Sequence, residues 1–210
     1  MKTTRLMHAL LAASLFATLP ASWAQSKPAA AAKPTAPAAA AVAATPQLQA
    51  AGSELLFVSR QMGVPVEGRF KKFDAQLAFD PKKPETGRVS FSIELASASI
   101  GAPEFDAELA KAAWFDSKRL PQASFQSSAI KALGGGKFEV SGKLSIKGQS
   151  RDLSVPISLT QAGGVTTATG AFVLKRLEFK IGDGEWADTS MVANEVQVKF
   201  KLLFSGIAPL

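Results

Sequence analysis

The sequence predicts an all-β domain of about eight antiparallel strands whose apolar faces turn toward a common interior. Three observations carry that reading. Through most of residues 48–210 apolar and polar residues alternate one for one, the period of a strand with one buried face. The alternating segments are separated by glycine- and proline-rich breaks that suit tight turns. A single stretch, Pro103 to Phe115, changes to the spacing of a helix.

Leu55 to Arg60 forms the first, weakly patterned strand. Phe73, Ala75, Leu77 and Phe79 then share one face, with Asp74, Gln76 and Asp80 on the other, and Asp80-Pro81, Pro84 and Gly87 turn the chain. Val89, Phe91, Ile93 and Leu95 alternate with Ser90, Ser92 and Glu94. In PEFDAELAKAAWF the apolar residues Phe105, Leu109 and Ala112 or Ala113 fall on one helix face, and Pro103 suits a first turn. Ala123 to Ile130 is a weaker strand ending before Gly134-Gly-Gly136. Phe138, Val140, Leu144 and Ile146 alternate with serines, lysines and Glu139; after Gly148, Leu153, Val155, Ile157 and Leu159 do the same. Gly163-Gly164 leads into the weaker Thr166 to Arg176, and Val196, Val198, Phe200 and Leu202 mark the last strand.

Strands with one apolar face each can close as a two-sheet sandwich or as a barrel. Alternation does not choose between them. A barrel also removes the unpaired edges that a disulfide-free β protein would otherwise expose, and a barrel of this size can hold one small ligand.

The N-terminus reads as a cleaved secretory signal over residues 1–24: Lys2 and Arg5, an apolar run from Ala9 to Leu19, then Ser22 and Ala24 ahead of Gln25. Residues 25–47 are nearly all alanine and proline with no aromatic residue, an expected semi-extended tether. The expected location is therefore periplasmic, with one domain over 48–210. Lys2, Arg5, Lys27 and Lys33 lie upstream of that domain, leaving 20 basic against 17 acidic residues dispersed among one another. That balance gives no nucleic-acid footprint.

The only histidine, His8, falls in the signal, and the chain has no cysteine and no tyrosine. Serine–histidine and cysteine–histidine catalysis, the usual zinc, haem and copper sites, and disulfides are thereby excluded from the domain. The acids of Asp183-Gly-Glu185-Trp186-Ala-Asp188 are the remaining candidate for chemistry. They lack the spacing and closing glutamate of a calcium loop and do not supply two sides of a glycosidase cleft. They read as solvated acids on the loop before the last strand, with Trp186 folded onto the barrel mouth. No catalytic residue and no metal is assigned. Lys118-Arg119, Lys175-Arg176, Arg60 and Arg69 read as exposed charge that could meet a polar head group only if it stood at the mouth.

Five blocks, LLFVSRQMGVPVEGRFKKFDAQLAFDP from Leu55, then SIELASASI, WFDSKRLPQASFQSSAI, VSGKLSIKGQSRDLSVPI and IGDGEWADTSMVANEVQV, resemble in that order the YceI-like family, the lipocalin-like periplasmic polyisoprenoid-binding proteins. The resemblance covers the whole domain. It implies an extended eight-stranded antiparallel lipocalin-like barrel, a short helical insertion near Phe105 to Phe115, and a long apolar pocket that holds an isoprenoid. It also implies an association with membrane proteins of the cytochrome b561 type and with stress responses. Many members carry a histidine at about the position where this chain has Gln61.

The inward faces then give an expected cavity lining of Phe57, Phe73, Leu77, Phe79, Phe91, Ile93, Phe105, Trp114, Phe125, Phe138, Val140, Leu144, Val155, Phe172, Trp186 and Phe200. Most of the 14 phenylalanines lie in the domain, more large side chains than a small wall needs unless they fill the barrel or shape it around a guest. The expected function is a non-enzymatic carrier for a quinone or polyprenyl lipid, with that lipid as the ligand and no cofactor. Two rivals stay open: an envelope interaction module whose barrel its own phenylalanines fill, and a lipid-modifying enzyme using Asp116 or Glu185 as base.

Overall fold

The structure, a computed structural model, describes residues 45–210; the predicted signal and nearly all of the predicted tether lie outside the described residues. Strands run in the order β1 (Gln47–Gln61), β2 (Val64–Phe70), β3 (Phe73–Ala78), β4 (Arg88–Glu94), β5 (Ala98–Ser99), β6 (Gln122–Gly134), β7 (Lys137–Ile146), β8 (Gln149–Ala162), β9 (Val165–Lys175) and β10 (Glu195–Ser205), with helix α1 (Pro103–Leu109) after β5. All pairings are antiparallel, and β10 pairs back onto β1.

β2 and β3 are one strand bent at Lys71-Lys72: Leu56 of β1 lies opposite Arg69 of β2, and Gln47 opposite Gln76 of β3. The two-residue β5 similarly continues β4 past a short 3-10 turn and pairs with β2. Counted this way the sheet is a closed eight-stranded barrel. Closure gives every one of these strands a neighbour on both sides.

β1 begins at Gln47, well before the predicted Leu55. Gly52 (φ +86°) and Ser53 make a bulge there, between the pairs Gln49–Leu203 and Glu54–Lys201. The Ser53 hydroxyl replaces the lost ladder partners, accepting from Leu203 N–H at 2.9 Å and donating to Gln49 O at 2.6 Å. The alternation is interrupted at that bulge, so the strand's first half escapes a period-two reading. β2 escapes it too, since Pro65 and Gly68 look like turn residues. β9 pairs with β8 only from Gly170 opposite Ile157, because Pro156 has no N–H to continue the ladder.

The helix is shorter than predicted. It ends at Leu109, and residues 110–119 fold into turns in which Phe115 N–H donates to Leu109 O and Asp116 N–H to Lys111 O. Asp116 sits in the left-handed region at φ +50°. This reversal lets Trp114 and Phe115 both reach the interior. The packed core lies along the barrel axis: Ile130, Phe138, Leu159, Phe204 and Ile207 gather at the end where the C-terminal tail crosses, and Leu95, Phe115, Leu144 and Phe179 toward the other.

Candidate functional site

The interior is not filled. A cavity of about 860 Å³ runs inside the barrel, in the upper range of small-molecule sites. Its lining is apolar except for Ser59, Gln61, Glu104, Glu108 and Arg176.

The lumen stays open because of where the large rings lie. A Cβ built on Gly68 would fall 2.2 Å from the Phe57 ring, on Gly142 2.6 Å from Phe125, and on Gly170 2.4 Å from Phe200. Phe57 and Gly68 are direct cross-strand partners, as are Phe200 and Gly170. Each ring therefore lies against the wall over a missing side chain instead of standing into the lumen. Glycine inside a strand commonly marks such a close approach.

Among the predicted lining residues, Phe57, Leu77, Phe79, Phe91, Ile93, Phe105, Trp114, Phe125, Val140, Leu144, Val155, Phe172, Trp186 and Phe200 border the cavity. Phe73 and Phe138 do not. Phe73 lies stacked on Phe91, which takes the lumen position, with centroids 5.7 Å apart. Phe138 is buried edge-on to Phe79 at 5.4 Å in the closed end of the barrel. Alternation assigned both to the correct face but carries no information on depth along the axis. It also passed over Phe70, Phe115 and Ile181, which border the cavity from β2 and the loops.

Arg176 departs most from its expected place. It is 1% exposed, not a surface charge. Its guanidinium donates only to main-chain carbonyls: Nε to Ala193 at 3.1 Å, Nη1 to Ile181 at 2.9 Å and to Gly182, Nη2 to Trp186 and Val192 at 2.7 Å each. All five N–H groups are used, and burial lowers its pKa below the ordinary arginine value. Gly182, at φ +64°, makes room, since a Cβ there would lie 2.6 Å from Nη1. One side chain thus holds the whole β9–β10 connection, residues 176–194, against the barrel.

That connection is a folded strap with 3-10 turns at Arg176–Phe179 and Gly184–Ala187. Lys147, whose side chain is 8% exposed, donates to Ala113 O and Lys180 O and faces Asp183 at 3.6 Å. Glu185 is exposed, and Asp188 accepts from Ser190 N–H and Oγ–H, which lower its pKa. Trp186 packs on Trp114 at 5.5 Å, and both border the cavity while their indole N–H groups have no partner. The loop's acids face outward or pair locally; its tryptophan faces in. Asp116 is buried and paired with Arg119 at 3.1 Å, and neither it nor Glu185 borders the cavity. Lys118, Arg119, Arg60 and Arg69 are exposed.

The remaining polar lining groups lie toward one mouth. Ser59 and Gln61 end β1, and Glu104 and Glu108 project from α1, Glu108 beside Lys111. Gln61 therefore stands at this mouth, where many family members are expected to carry histidine.

The chain is 46% identical to Burkholderia cenocepacia BcnA, whose crystal structure superposes with a TM-score of 0.73 over 75% of this chain and 99% of that one. The fold is shared with a polyisoprenoid binding domain from Saccharophagus degradans implicated in plant cell wall breakdown, at 16% identity and TM-score 0.63, covering 79% of this chain and 99% of that one. It is also shared with a Campylobacter jejuni YCEI protein, at 21% identity and TM-score 0.60, covering 66% and 83%. A UPF0312 protein of Pseudomonas putida (strain W619) is 31% identical over 98 residues, 47% of this chain and 51% of its own length. One of Vibrio cholerae is 28% identical over 98 residues, with 47% and 52% covered, so the chain spans about half the length of these curated relatives. With residues 47–204, from the first strand through nearly all of the last, matching the family's model, the chain belongs to the YceI-like domain family.

Proposed function

We propose that this protein is a periplasmic binding or carrier protein that sequesters a long apolar isoprenoid, a quinone or polyprenyl lipid, in its barrel. The observation that carries the reading is the open lumen: rings laid over glycines leave about 860 Å³ walled by apolar side chains. A barrel meant only as a scaffold gains by filling that space, because unfilled interior volume forfeits packing. The shared fold of the polyisoprenoid binding domain from Saccharophagus degradans supports the same ligand class.

Burying a roughly 20-carbon chain at ~0.8 kcal/mol per methylene amounts to on the order of 16 kcal/mol gross. Association and chain ordering offset ~4–15 kcal/mol of it, leaving binding that is tight yet reversible. The polar head sits at the mouth, near Ser59, Gln61 and Glu104. Sequestration needs no acid or base: Asp116 and Glu185 do not border the lumen, and the carboxylates that do, Glu104 and Glu108, stand on α1 at its mouth.

Solvent extraction of the protein taken from its own cells, followed by mass spectrometry, tests the reading. A stoichiometric isoprenoid is the expected result. A protein that extracts empty and takes up no long-chain isoprenoid in titration overturns it in favour of an interaction module.

A further inference from the structure

Among the described residues, seven large apolar side chains are prominently exposed, and Met62 (65%), Val64 (62%), Phe105 (56%) and Met191 (44%) belong to segments that meet at the polar-lined mouth. Met62 and Gly63 form the two-residue turn between β1 and β2, at φ +47° and +79°. Turns with two positive φ values favour asparagine or aspartate followed by glycine. Methionine is a poor choice for that backbone, and presenting it to solvent gains nothing for the fold. Met191 is fixed beside it, since Met62 N–H donates to Met191 O at 2.8 Å and Gln61 bridges Val192. Gln61 and Val192, the chain neighbours of these two methionines, border the cavity.

α1 comes to the same place by register. β5 runs antiparallel to β2 with Ser99 opposite Arg69, so the chain leaving β5 heads for the start of β2 and its turn. Phe105 is both exposed and part of the cavity lining. The lumen therefore opens, past the few polar groups of its mouth, onto protruding apolar tips.

We infer that this rim docks on the surface of a lipid bilayer and that the barrel loads and unloads its ligand there. The inference rests on the reading of the cavity as an isoprenoid site. A long isoprenoid resides in bilayers, and crossing open water would forfeit the burial that holds it at either end. The composition of the rim fits the same occupant: residues 61–66 and 189–193 carry no charge. The charged groups nearby are few and mostly engaged: Arg60 folds onto the turn and donates to Gly63 O, Glu108 pairs with Lys111, Asp106 lies 3.9 Å from Lys71, and Glu104 stands exposed beside Phe105. Such a surface enters the neutral zone of a zwitterionic bilayer by shallow apolar insertion, with little dependence on anionic lipid.

The test uses the mature protein and phosphatidylcholine vesicles at physiological salt. Met62→Asn combined with Val64→Thr removes the two most exposed of the four apolar tips while suiting the turn and the strand, and neither residue borders the cavity. Vesicle co-sedimentation should fall about fivefold, and transfer of a fluorescent polyprenol out of vesicles should slow in proportion. Uptake of the same probe from cyclodextrin should stay unchanged. Leu133→Asn with Val173→Thr, at positions 53% exposed on other parts of the surface, should behave as wild type in every assay. Wild-type protein that ignores vesicles, or a rim variant that binds them as well as wild type, overturns the inference. Failure to take up the probe even from cyclodextrin overturns the cavity reading instead.

Discussion

Arg176 shows how one residue can organise a site it does not serve chemically. Its charge is met by five carbonyl dipoles and no carboxylate, so its partners are parts of the backbone whose positions it fixes. Lysine supplies three donors on a flexible stem in place of a planar fork. Arg176→Lys should therefore leave at least two buried carbonyls unpaired and lower the unfolding free energy in urea by about 3 kcal/mol or more. Equal stability of the two proteins would mean that the strap holds itself. None of this was legible in Lys175-Arg176, because a charge pair in a sequence says nothing about where carbonyls converge. The strand faces were legible. Ile93 borders the cavity and Ser92, its neighbour on β4, lies across from Asp74 and Ser124 on the other face. Ile93→Asp should abolish folding or ligand uptake while Ser92→Asp leaves both nearly unchanged, as circular dichroism and titration would report.

At the scale of elements, α1 is only seven residues long and stands at the mouth by a few contacts. Asp106 ties it to β5. Hydrogen bonds from the Ser99 side chain and from Ile100 N–H, together with the nearby Lys71 charge, hold its carboxyl below the usual carboxylate range. A depressed folded-state pKa means that this contact stabilises fully above the ordinary value of ~3.9 and is lost as pH falls through the lower one. The helix should thus stay seated through mildly acidic pH. Asp106→Asn should speed amide exchange across residues 103–115 at neutral pH, with the strands unaffected; no local change would show that the apolar contacts of Leu109 suffice. The helical period correctly marked this insertion, but its end was hidden because Ala112 and Ala113 extend the pattern while Trp114 and Phe115 pull the chain into turns. The strap offers a parallel contrast. Replacing Asp183, Glu185 and Asp188 together by amides should leave ligand affinity within about threefold, since exposed loop charges contribute little to apolar burial. Trp186→Ala should weaken it more, because that ring packs on Trp114 at the cavity wall. The reverse ranking would reopen the case for chemistry on this loop.

At the scale of the molecule, barrel closure could be argued from alternation and the cost of free edges, but the size of the lumen could not. The same phenylalanines are compatible with a filled barrel and an open one, and the outcome turns on Gly68, Gly142 and Gly170 lying under the rings, a cross-strand relation invisible before the register is known. An open lumen has a thermodynamic consequence. Walls that face about 860 Å³ of unfilled apolar space lack the contacts that close packing supplies elsewhere, and a ligand bound only by the folded state stabilises it by RT ln(1 + [L]/Kd). At a hundredfold excess over Kd that is ~2.7 kcal/mol. Delipidated protein should therefore melt several degrees below loaded protein in calorimetry, and adding a long-chain isoprenoid should restore the difference in a concentration-dependent way. Gly170→Leu should separate this effect from general stability. Its side chain would push the Phe200 ring off the wall and into the lumen, so the variant should lose most of the ligand-induced shift while keeping the melting temperature of the delipidated wild type within a few degrees. A full shift in that variant would place the ligand outside the barrel.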